Sequence, residues 1–342
     1  ADAPDDPEAG PRRARDGPPV RPFSYARASS LADAIRLLRG GAVAIAGGTD
    51  LLGLMKDGIA EPARLVDLTG VDGLRGWRRE RGVGLRIGAL TPLVDLENSD
   101  QLARLFPIAR QALAGAATVQ LRTMGTVGGN LLQRNRCWYF RSEAFPCWLK
   151  GGTRCFAFDG DNRYHAIVGA EECNAVAPSD LAPALIAYDA TVTLRGPRGS
   201  RTIPLADLYV RPSGRERREH SIRSGEVLTE VLVPHGALQR SGAFLKAMDR
   251  KAWSFALVSV AAAARVREGK LRDVRIVLGG VAPVPWRVAE AERTLDGRPL
   301  DDAAAARAAD LLFADALPLK DNAYKIPLAK ELVGRALRAL CG

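Results

Sequence analysis

The chain has 342 residues, of which 47% are hydrophobic and 26% are charged, and its formal net charge is +10. This length and composition are typical of an ordinary globular protein with about two domains. The longest nearly apolar run, residues 255–264, is about half of what a membrane span requires, and no Lys/Arg block with interleaved aromatic residues indicates a nucleic-acid surface. We therefore expect neither a membrane span nor nucleic-acid binding.

Residues 1–20 predict a flexible tail. They consist mainly of Pro, Asp, Glu, Arg and Gly, and they contain almost no large apolar side chains. Such a segment cannot bury enough surface to become ordered by itself. It also lacks the apolar core of a signal peptide.

Strand and helix patterns alternate from residue 22 onward. Ser29 or Ser30 can cap a first helix that ends at Gly40-Gly41. Thr91 is expected to cap another helix, with Pro92 at its first position. The remaining patterns of this half predict strands at 43–46, 65–68 and 85–89, a helical turn at 51–55 and a longer amphipathic helix at about 100–114.

The second half of the chain predicts a mixed set of elements. They are strands at 191–194, 226–234, 243–248, 256–266 and 271–278, a helical turn at 181–185, and two closing helices near 287–295 and 328–340. A hairpin turn at 268–270 joins the last two strands, and residues 236–241 are expected to form a domain junction. The predicted architecture is α+β with two domains.

Two glycine-rich turns are candidates for binding a diphosphate. One is G-G-T-D at residues 47–50, and the other is T-V-G-G-N at 126–130. Backbone N–H groups without side chains can approach an anion closely, and a helix start adds a favourable dipole. Thr49 offers a hydroxyl, whereas Asp50 has the wrong charge to face a phosphate and is expected to cap the helix or bond a hydroxyl. Each turn alone fits a tight strand-to-helix connection equally well, and no Rossmann or P-loop pattern occurs.

Four of the five cysteines lie between residues 137 and 173. They are Cys137, Cys147, Cys155 and Cys173, and no two of them form a C-x-x-C pair. Thiolates suit zinc or an iron–sulfur cluster, while disulfides are less expected in a chain long enough to build its own core. From the spacing alone, a cluster, a structural zinc, disulfides and unligated thiols all remain open. The aromatic residues of this segment can shield a cluster, or they can form a small core under a long loop.

Three motifs in a fixed order resemble a known family. They are A-G-G-T-D-L at 46–51, L-R-T-M-G-T-V-G-G-N at 121–130 and P-S-D-L at 178–181. This order is similar to that of the FAD-binding medium subunit of the xanthine dehydrogenase, or molybdenum hydroxylase, family. K-A-M-D-R at 246–250 and G-G-V-A-P at 279–283 continue the resemblance, which covers about residues 20–342.

The resemblance implies a domain organisation. A two-subdomain FAD-binding domain of the p-cresol methylhydroxylase/vanillyl-alcohol-oxidase-like type is expected at 21–236, and a smaller α+β domain like the CO dehydrogenase flavoprotein C-terminal domain at 240–342. A segment at about 131–177 is inserted in the first domain. Two branches of the family carry such an insert with a [4Fe–4S] cluster on four cysteines, the 4-hydroxybenzoyl-CoA reductases and bacterial aldehyde oxidoreductases. Residues 159–167 look more like the aldehyde oxidoreductase version.

The resemblance also implies site residues. Cys137, Cys147, Cys155 and Cys173 would bind the [4Fe–4S] cluster. Asp180 matches an acidic residue at the flavin nucleotide, Lys246 matches a lysine near the isoalloxazine, and Leu228 packs on the cofactor or serves as a plain core leucine. A strand-end lysine such as Lys246 is also commonly a solvated surface group. The FAD contacts expected in full are Ala44, Ile45, Ala46, Gly47, Gly48, Thr49, Asp50, Leu51, Thr126, Gly129, Asn130, Asp180, Leu228 and Lys246.

The function that follows from the resemblance is electron transfer in a heterotrimer. A molybdopterin-containing large subunit would oxidise the substrate, and a small subunit with [2Fe–2S] centres would pass electrons to FAD on this chain. The sequence itself offers no catalytic residues for substrate oxidation. The complex is expected in the cytoplasm, or in the periplasm by co-export with a signal-bearing partner. Alternatives are a stand-alone flavin oxidase, a 4-hydroxybenzoyl-CoA-reductase-type flavin subunit and a zinc-stabilised scaffold.

Overall fold

The computed structural model of the protein describes residues 20–214, 216–250 and 253–341. The flexible tail expected at residues 1–20 lies outside these ranges except for its last residue. Within them the chain forms three sheets with helices packed around them, which confirms the predicted α+β class. No helix in these ranges combines the length and the apolar character needed to cross a membrane.

A small parallel sheet forms near the start of the chain. Its strands, in spatial order, are β1 (Ser24–Arg27), β3 (Arg64–Asp67) and β2 (Val43–Ile45). Helices α1 (Leu31–Leu37) and α2 (Leu51–Lys56) connect the strands. Ser30 caps α1 by accepting a hydrogen bond from the backbone N–H of Asp33, as its position predicts. The first glycine-rich turn therefore lies at the carboxyl end of β2, directly before α2.

An antiparallel sheet of five strands forms the middle of the fold. Its strands, in spatial order, are β4 (Trp77–Glu80), β5 (Gly84–Gly88), β8 (Val227–Pro234), β6 (Thr191–Gly196) and β7 (Gly199–Pro204). The prediction missed β4 and β7, and also β1. These three strands lie at sheet edges, expose at least half of their residues and bury none, so they lack the apolar alternation that marks a half-buried strand.

Six short helices follow β5 and precede β6. They are α3 (Leu93–Glu97), α4 (Asp100–Leu105), α5 (Pro107–Ala114), α6 (Val119–Met124), α7 (Val127–Leu131) and α8 (Leu181–Ile186). The single helix predicted at 100–114 is wrong. Pro107 disfavours helical geometry in the residue before it, and Phe106 accordingly has φ −143° and ψ 64°. The cap prediction at Thr91 is also wrong, because its hydroxyl donates to the carbonyl oxygens of Gly76 and Gly88 and Pro92 itself is the N-cap.

The C-terminal part packs three helices against a three-stranded antiparallel sheet. The strands, in spatial order, are β11 (Lys270–Gly279), β10 (Val258–Arg267) and β9 (Ser241–Ala247), and the helices are α9 (Ala289–Leu295), α10 (Asp302–Leu312) and α11 (Lys325–Arg338). The prediction of two closing helices missed α10. That helix buries mostly alanines, whose small side chains give a weak apolar pattern, but Asp301 caps it by accepting from the N–H of Ala304.

Polar contacts fix the C-terminal sheet against the rest of the chain. The buried side chain of Arg240 pairs with Asp189 at 2.5 Å and with Asp273 at 2.7 Å. On β9, the backbone N–H of Phe244 donates to the Oε1 atom of Gln111 on α5 at 2.7 Å. These contacts hold β9 beside α5 and α8. Lys246 on β9 and Asp180 at the start of α8, two of the residues expected to contact FAD, lie in this region.

The insert at residues 131–177 has little regular structure in the described chain. After α7 ends, its one short helix is a 3-10 turn, Trp148–Lys150. The insert instead encloses a small core in which Phe140, Trp148 and Leu149 pack with Leu54 of α2. The insert therefore packs directly against α2, the helix that follows the first glycine-rich turn.

Candidate cofactor sites

The first glycine-rich turn and α7 border a cleft with two chambers. The larger chamber has a volume of about 380 Å³. Residues 43–51, Thr126, Gly129 and Leu228 are among its walls, and most of the other lining side chains are apolar. These others include Leu54, Ala60, Leu68, Leu90, Leu132, Ile222 and Val227. A mostly apolar cleft with a few polar groups at its border is the usual form of a site for a large organic cofactor.

Two glycines of the first turn have specific structural roles. Gly48 has φ +70°, a left-handed conformation that side chains rarely adopt. A Cβ atom on Gly47 would overlap the carbonyl oxygen of Met124 at the end of α6. The turn can therefore lie this close to α6 only because position 47 has no side chain.

The second glycine-rich turn forms the start of α7. The Thr126 hydroxyl caps this helix by accepting from the N–H of Gly129 at 3.1 Å, which fixes the first turn of the helix next to the cleft. The side-chain oxygen Oδ1 of Asn130 accepts a hydrogen bond from the Ser179 hydroxyl at 2.6 Å. The second and third sequence motifs are thus joined directly.

Asp50 occupies the N-cap position of α2, but its side chain makes no capping hydrogen bond, so the expectation that it caps the helix is wrong. Its carboxylate accepts from the backbone N–H of Arg134 at 2.8 Å and pairs with Arg136 at 2.7 Å and Arg141 at 2.6 Å. All three partners belong to the insert. Two guanidinium groups outweigh the charge of one carboxylate, so the surroundings of Asp50 carry a net positive charge beside the glycine-rich turn.

The smaller chamber has a volume of about 70 Å³ and is more polar. It shares Thr49, Asp50, Gly129 and Gln133 with the larger chamber, so the two meet at the glycine-rich turns. The other lining residues include Ala116, Asn130, Arg136, Asp180, Trp253 and Phe255. The Nε atom of Arg136 is buried and finds no hydrogen-bond partner among the described residues. This unpaired donor at the chamber is a position where a polar ligand atom would bind.

A buried ion pair lies beside the smaller chamber, of which Asp180 is a lining residue and Lys246 is not. Lys246 on β9 contacts Asp180 at 2.7 Å, and each side chain is only 4% exposed. Lys246 also donates to the carbonyl oxygen of Gly115. Burial raises the pKa of Asp180 to about 6, although the Lys246 ammonium opposes this shift. Lys246 is therefore not a solvated surface lysine, and the pair connects the C-terminal sheet to the P-S-D-L motif.

The four clustered cysteines line one small cavity inside the insert. Cys137, Cys147, Cys155 and Cys173 all border it, together with aromatic residues such as Tyr139, Phe140, Trp148 and Phe156. All five cysteines of the chain are free thiols, so the disulfide alternative fails. Burial raises the pKa of Cys137 to about 12 and also raises that of Cys173. Among the residues that the structure describes, no three His, Cys, Asp or Glu side chains are grouped to hold a single metal ion.

Several lining residues were missed by the sequence prediction. Gln133 and Arg134 border the larger chamber just after the G-G-N motif, and Trp253 and Phe255 border the smaller one. Trp253 and Phe255 form an aromatic pair separated by one residue, shortly after the strand that carries Lys246. This pattern is a signal by which the sequence prediction could have found them. The prediction followed motifs and therefore omitted residues that reach the cleft from elsewhere in the fold.

Family models match most of the chain. The model for the FAD binding domain in molybdopterin dehydrogenase matches residues 21–236. The model for the CO dehydrogenase flavoprotein C-terminal domain matches residues 243–340.

Known proteins match over nearly their whole length. The aldehyde oxidoreductase FAD-binding subunit PaoB of Escherichia coli strain K12 is 38% identical, over 93% of this chain and 98% of the relative. The carbon monoxide dehydrogenase medium chain of Afipia carboxidovorans is 30% identical, over 92% of this chain and 94% of the relative. In three dimensions, reconstituted CO dehydrogenase from Oligotropha carboxidovorans superposes with a TM-score of 0.75 at 27% identity, covering 94% of this chain and 98% of the other. The chain is therefore an FAD-dependent oxidoreductase subunit and belongs to the FAD-binding medium subunits of the xanthine dehydrogenase family of molybdenum hydroxylases.

Proposed function

We propose that this chain is the electron-transferring flavin subunit of a molybdenum-containing aldehyde oxidoreductase. It would receive electrons from [2Fe–2S] centres of a small partner subunit and deliver them to an external acceptor, while a molybdopterin-containing large subunit oxidises the substrate. The observation that carries this proposal is the two-chamber cleft bordered by both glycine-rich turns. The aldehyde class rests on the similarity to the aldehyde oxidoreductase subunit of Escherichia coli and on the cysteine-bearing insert.

The cleft supports one orientation of FAD. The isoalloxazine is the largest rigid part of the cofactor, and the larger and more apolar chamber, of about 380 Å³, suits it better. The chamber of about 70 Å³ offers polar groups and the aromatic rings of Trp253 and Phe255 to the adenosine. The diphosphate would then lie between Gly47-Gly48 and Gly129. In this orientation Asp180 lies at the nucleotide end, as the family resemblance implies, whereas Lys246 lines neither chamber and reaches the site through its contact with Asp180.

The residues of this chain would bind FAD and shield it from water. Backbone N–H groups of the first turn and of α7 would donate to the diphosphate, and the cationic surroundings of Asp50 would favour its negative charge. Ala44, Leu54 and Leu228 would pack on the ring system, where an apolar wall excludes solvent. FAD itself supplies the redox chemistry of the site.

We also propose that the cysteine-lined cavity holds a [4Fe–4S] cluster. Four free thiols from separate parts of the insert border one cavity, as a cluster that binds each thiolate through a different iron requires. A bound metal would offset the burial that now raises the pKa of Cys137. Leu54 supports an electron-transfer role, because this one side chain lines the larger FAD chamber and also packs in the core that contains Cys147 and Cys173.

The test is to purify the chain alone and together with its partner subunits, under anaerobic conditions. We expect FAD in both samples and about four irons and four sulfides per chain beyond the content of the partners. An added aldehyde should bleach the flavin absorbance only in the complex. Aldehyde oxidation by the chain alone at the rate of the complex would favour the stand-alone flavin oxidase. Stoichiometric zinc without iron would contradict the cluster.

A further inference from the structure

A histidine contacts one of the four cysteines of the insert. The Nε2 atom of His165 lies 3.2 Å from the sulfur of Cys137. The imidazole is buried, and its ring centroid is 5.2 Å from that of Trp138 and 6.0 Å from that of Tyr139. The ring therefore has a fixed position between two aromatic side chains, with one nitrogen directed at the sulfur.

The other ring nitrogen determines which way this hydrogen bond runs. The Nδ1 atom of His165 is buried and has no hydrogen-bond partner among the described residues. A proton placed on Nδ1 would leave a buried N–H unpaired, and it would direct the Nε2 lone pair at a thiolate, which can only accept a hydrogen bond. The favoured tautomer therefore carries its proton on Nε2. In that tautomer His165 donates an N–H hydrogen bond to the sulfur of Cys137.

The C-terminal part of the chain fixes this donor. Lys325, at the start of α11, donates to the carbonyl oxygen of His165 at 3.0 Å and to those of Tyr164 and Gly280. Asn322 donates to the same His165 carbonyl and to that of Ala166. Both of these polar side chains are fully buried. The backbone of His165 is therefore anchored from outside the insert.

A second side chain makes a longer contact of the same kind. The Nδ2 atom of Asn174 lies 3.5 Å from the sulfur of Cys155 and is its donor. The backbone N–H of Ala166 donates to the carbonyl oxygen of Asn174 at 2.8 Å. This bond connects Asn174 to the segment that carries His165. Both donors thus belong to one hydrogen-bonded unit.

We propose that His165 tunes the reduction potential of the cluster by donating a hydrogen bond to the Cys137 thiolate, with Asn174 making a weaker contribution at Cys155. This inference rests on the proposed [4Fe–4S] cluster. Reduction of a bound cluster would add one electron, drawn from the reduced flavin of the same chain, with no proton transfer. The added negative charge would spread onto the sulfurs and strengthen each hydrogen bond, so these donors would favour the reduced cluster and raise its potential.

The experiment is a dithionite titration of the full-length chain, followed by electron paramagnetic resonance. His165→Leu removes the donor, His165→Gln retains an N–H at the same reach, and His235→Leu makes the same chemical change outside the insert. At a fixed ambient potential we expect the ratio of reduced to oxidised cluster to fall about tenfold in His165→Leu, which corresponds to about 59 mV for a one-electron couple. His165→Gln and His235→Leu should stay close to the wild type. Asn174→Leu should lower the ratio by a smaller factor.

The outcomes separate this inference from the proposed function. An unchanged potential in His165→Leu, or an equal shift in His165→Gln, overturns the role of His165. If His165→Leu fails to retain iron, Asn174→Leu decides: a shift to lower potential supports the inference and an unchanged potential overturns it. A wild-type chain that binds FAD but contains neither iron nor sulfide overturns the cluster, and the inference falls with it.

Discussion

The FAD cleft and the cysteine insert hold their residues in place by different means. The cleft lies where strands and short helices end, and its key positions are set by sheet register, helix caps and glycines that permit close approach. The insert has almost no regular structure in the described chain. Long cationic side chains hold its carbonyl groups instead: Arg141 donates to Asn135, Arg217 to Trp148 and Gly152, and Lys325 to His165. A segment without strands can thus be ordered by charged side chains from several parts of the chain.

The largest expected effect is at the buried ion pair of Asp180 and Lys246 beside the cleft. Asp180→Asn or Lys246→Met alone leaves an uncompensated polar or charged group at a site that is 4% exposed. Each single change should lower the free energy of unfolding by about 3–5 kcal/mol. The double variant should lose clearly less than the two singles combined, because it leaves no charge unpaired. Urea unfolding of the flavin-free chain measures all three, and additive losses would show that the pair is not coupled.

Removal of iron should affect the order of the insert much more than the binding of FAD in the cleft. If a cluster provides much of the order of residues 131–177, its loss should raise the rate of tryptic cleavage in this segment by about a hundredfold, equivalent to about 2.7 kcal/mol of local stability. FAD should remain bound but more weakly. The glycine-rich turns follow β2 and begin α7, outside the insert, whereas Arg136 and Arg141 of the insert would no longer be held beside Asp50. The measurement combines chelation, limited proteolysis and flavin absorbance. Release of FAD at the same rate as cleavage would mean that the two regions form one cooperative unit.

FAD binding at the first glycine-rich turn should depend on how closely this turn approaches α6. Gly47→Ala forces the turn away from the carbonyl oxygen of Met124, and we expect FAD affinity to fall at least about tenfold, or about 1.4 kcal/mol. Gly53→Ala, one turn into α2, is the matched control because its Cβ atom would have no heavy atom within 4 Å. Bound flavin after gel filtration gives the affinity. Equal FAD content in both variants would contradict the proposal that this turn binds the FAD diphosphate.

Lys325 should give the anchoring of the insert a measurable pH dependence. Burial lowers the pKa of Lys325 to about 7 in the folded chain, below its value near 10.5 when unfolded. Between these two pKa values the unfolded state binds more protons than the folded state. Lys325 therefore makes the free energy of unfolding rise with pH, by at most about 1.4 kcal/mol per pH unit. Below about pH 7 it contributes no pH dependence. Lys325→Met should remove this slope.

The control for Lys325 lies on the same helix. Lys330 is partly exposed and pairs with Asp310 at 2.7 Å, so Lys330→Met should keep the slope of the wild type. Urea unfolding at pH 6, 7, 8 and 9 gives the comparison. Parallel pH profiles for the wild type and Lys325→Met would show that the buried lysine keeps its proton in this range.

The sequence predicted the cleft better than the insert for a physical reason. Gly47-Gly48 and Thr126 act locally, through turns and caps whose residue types are readable in a short window. The environment of Asp50 was not readable, because its partners Arg136 and Arg141 come from a segment about 90 residues away. Pro107 is a readable signal that one helix ends and another begins at this residue. The alanines of α10, in contrast, differ too little in hydrophobicity from their neighbours to mark a helix.

The anchoring of His165 by Asn322 and Lys325 has a consequence for how the protein is made. A ribosome adds roughly 5–20 residues per second, so Asn322 and Lys325 are synthesised roughly ten to thirty seconds after His165. During that interval the carbonyl groups of the insert lack the donors that hold them in the finished chain. The segment around His165 can therefore reach its final conformation only after residues 322–325 have been synthesised, and its contact with Cys137 is fixed no earlier than that.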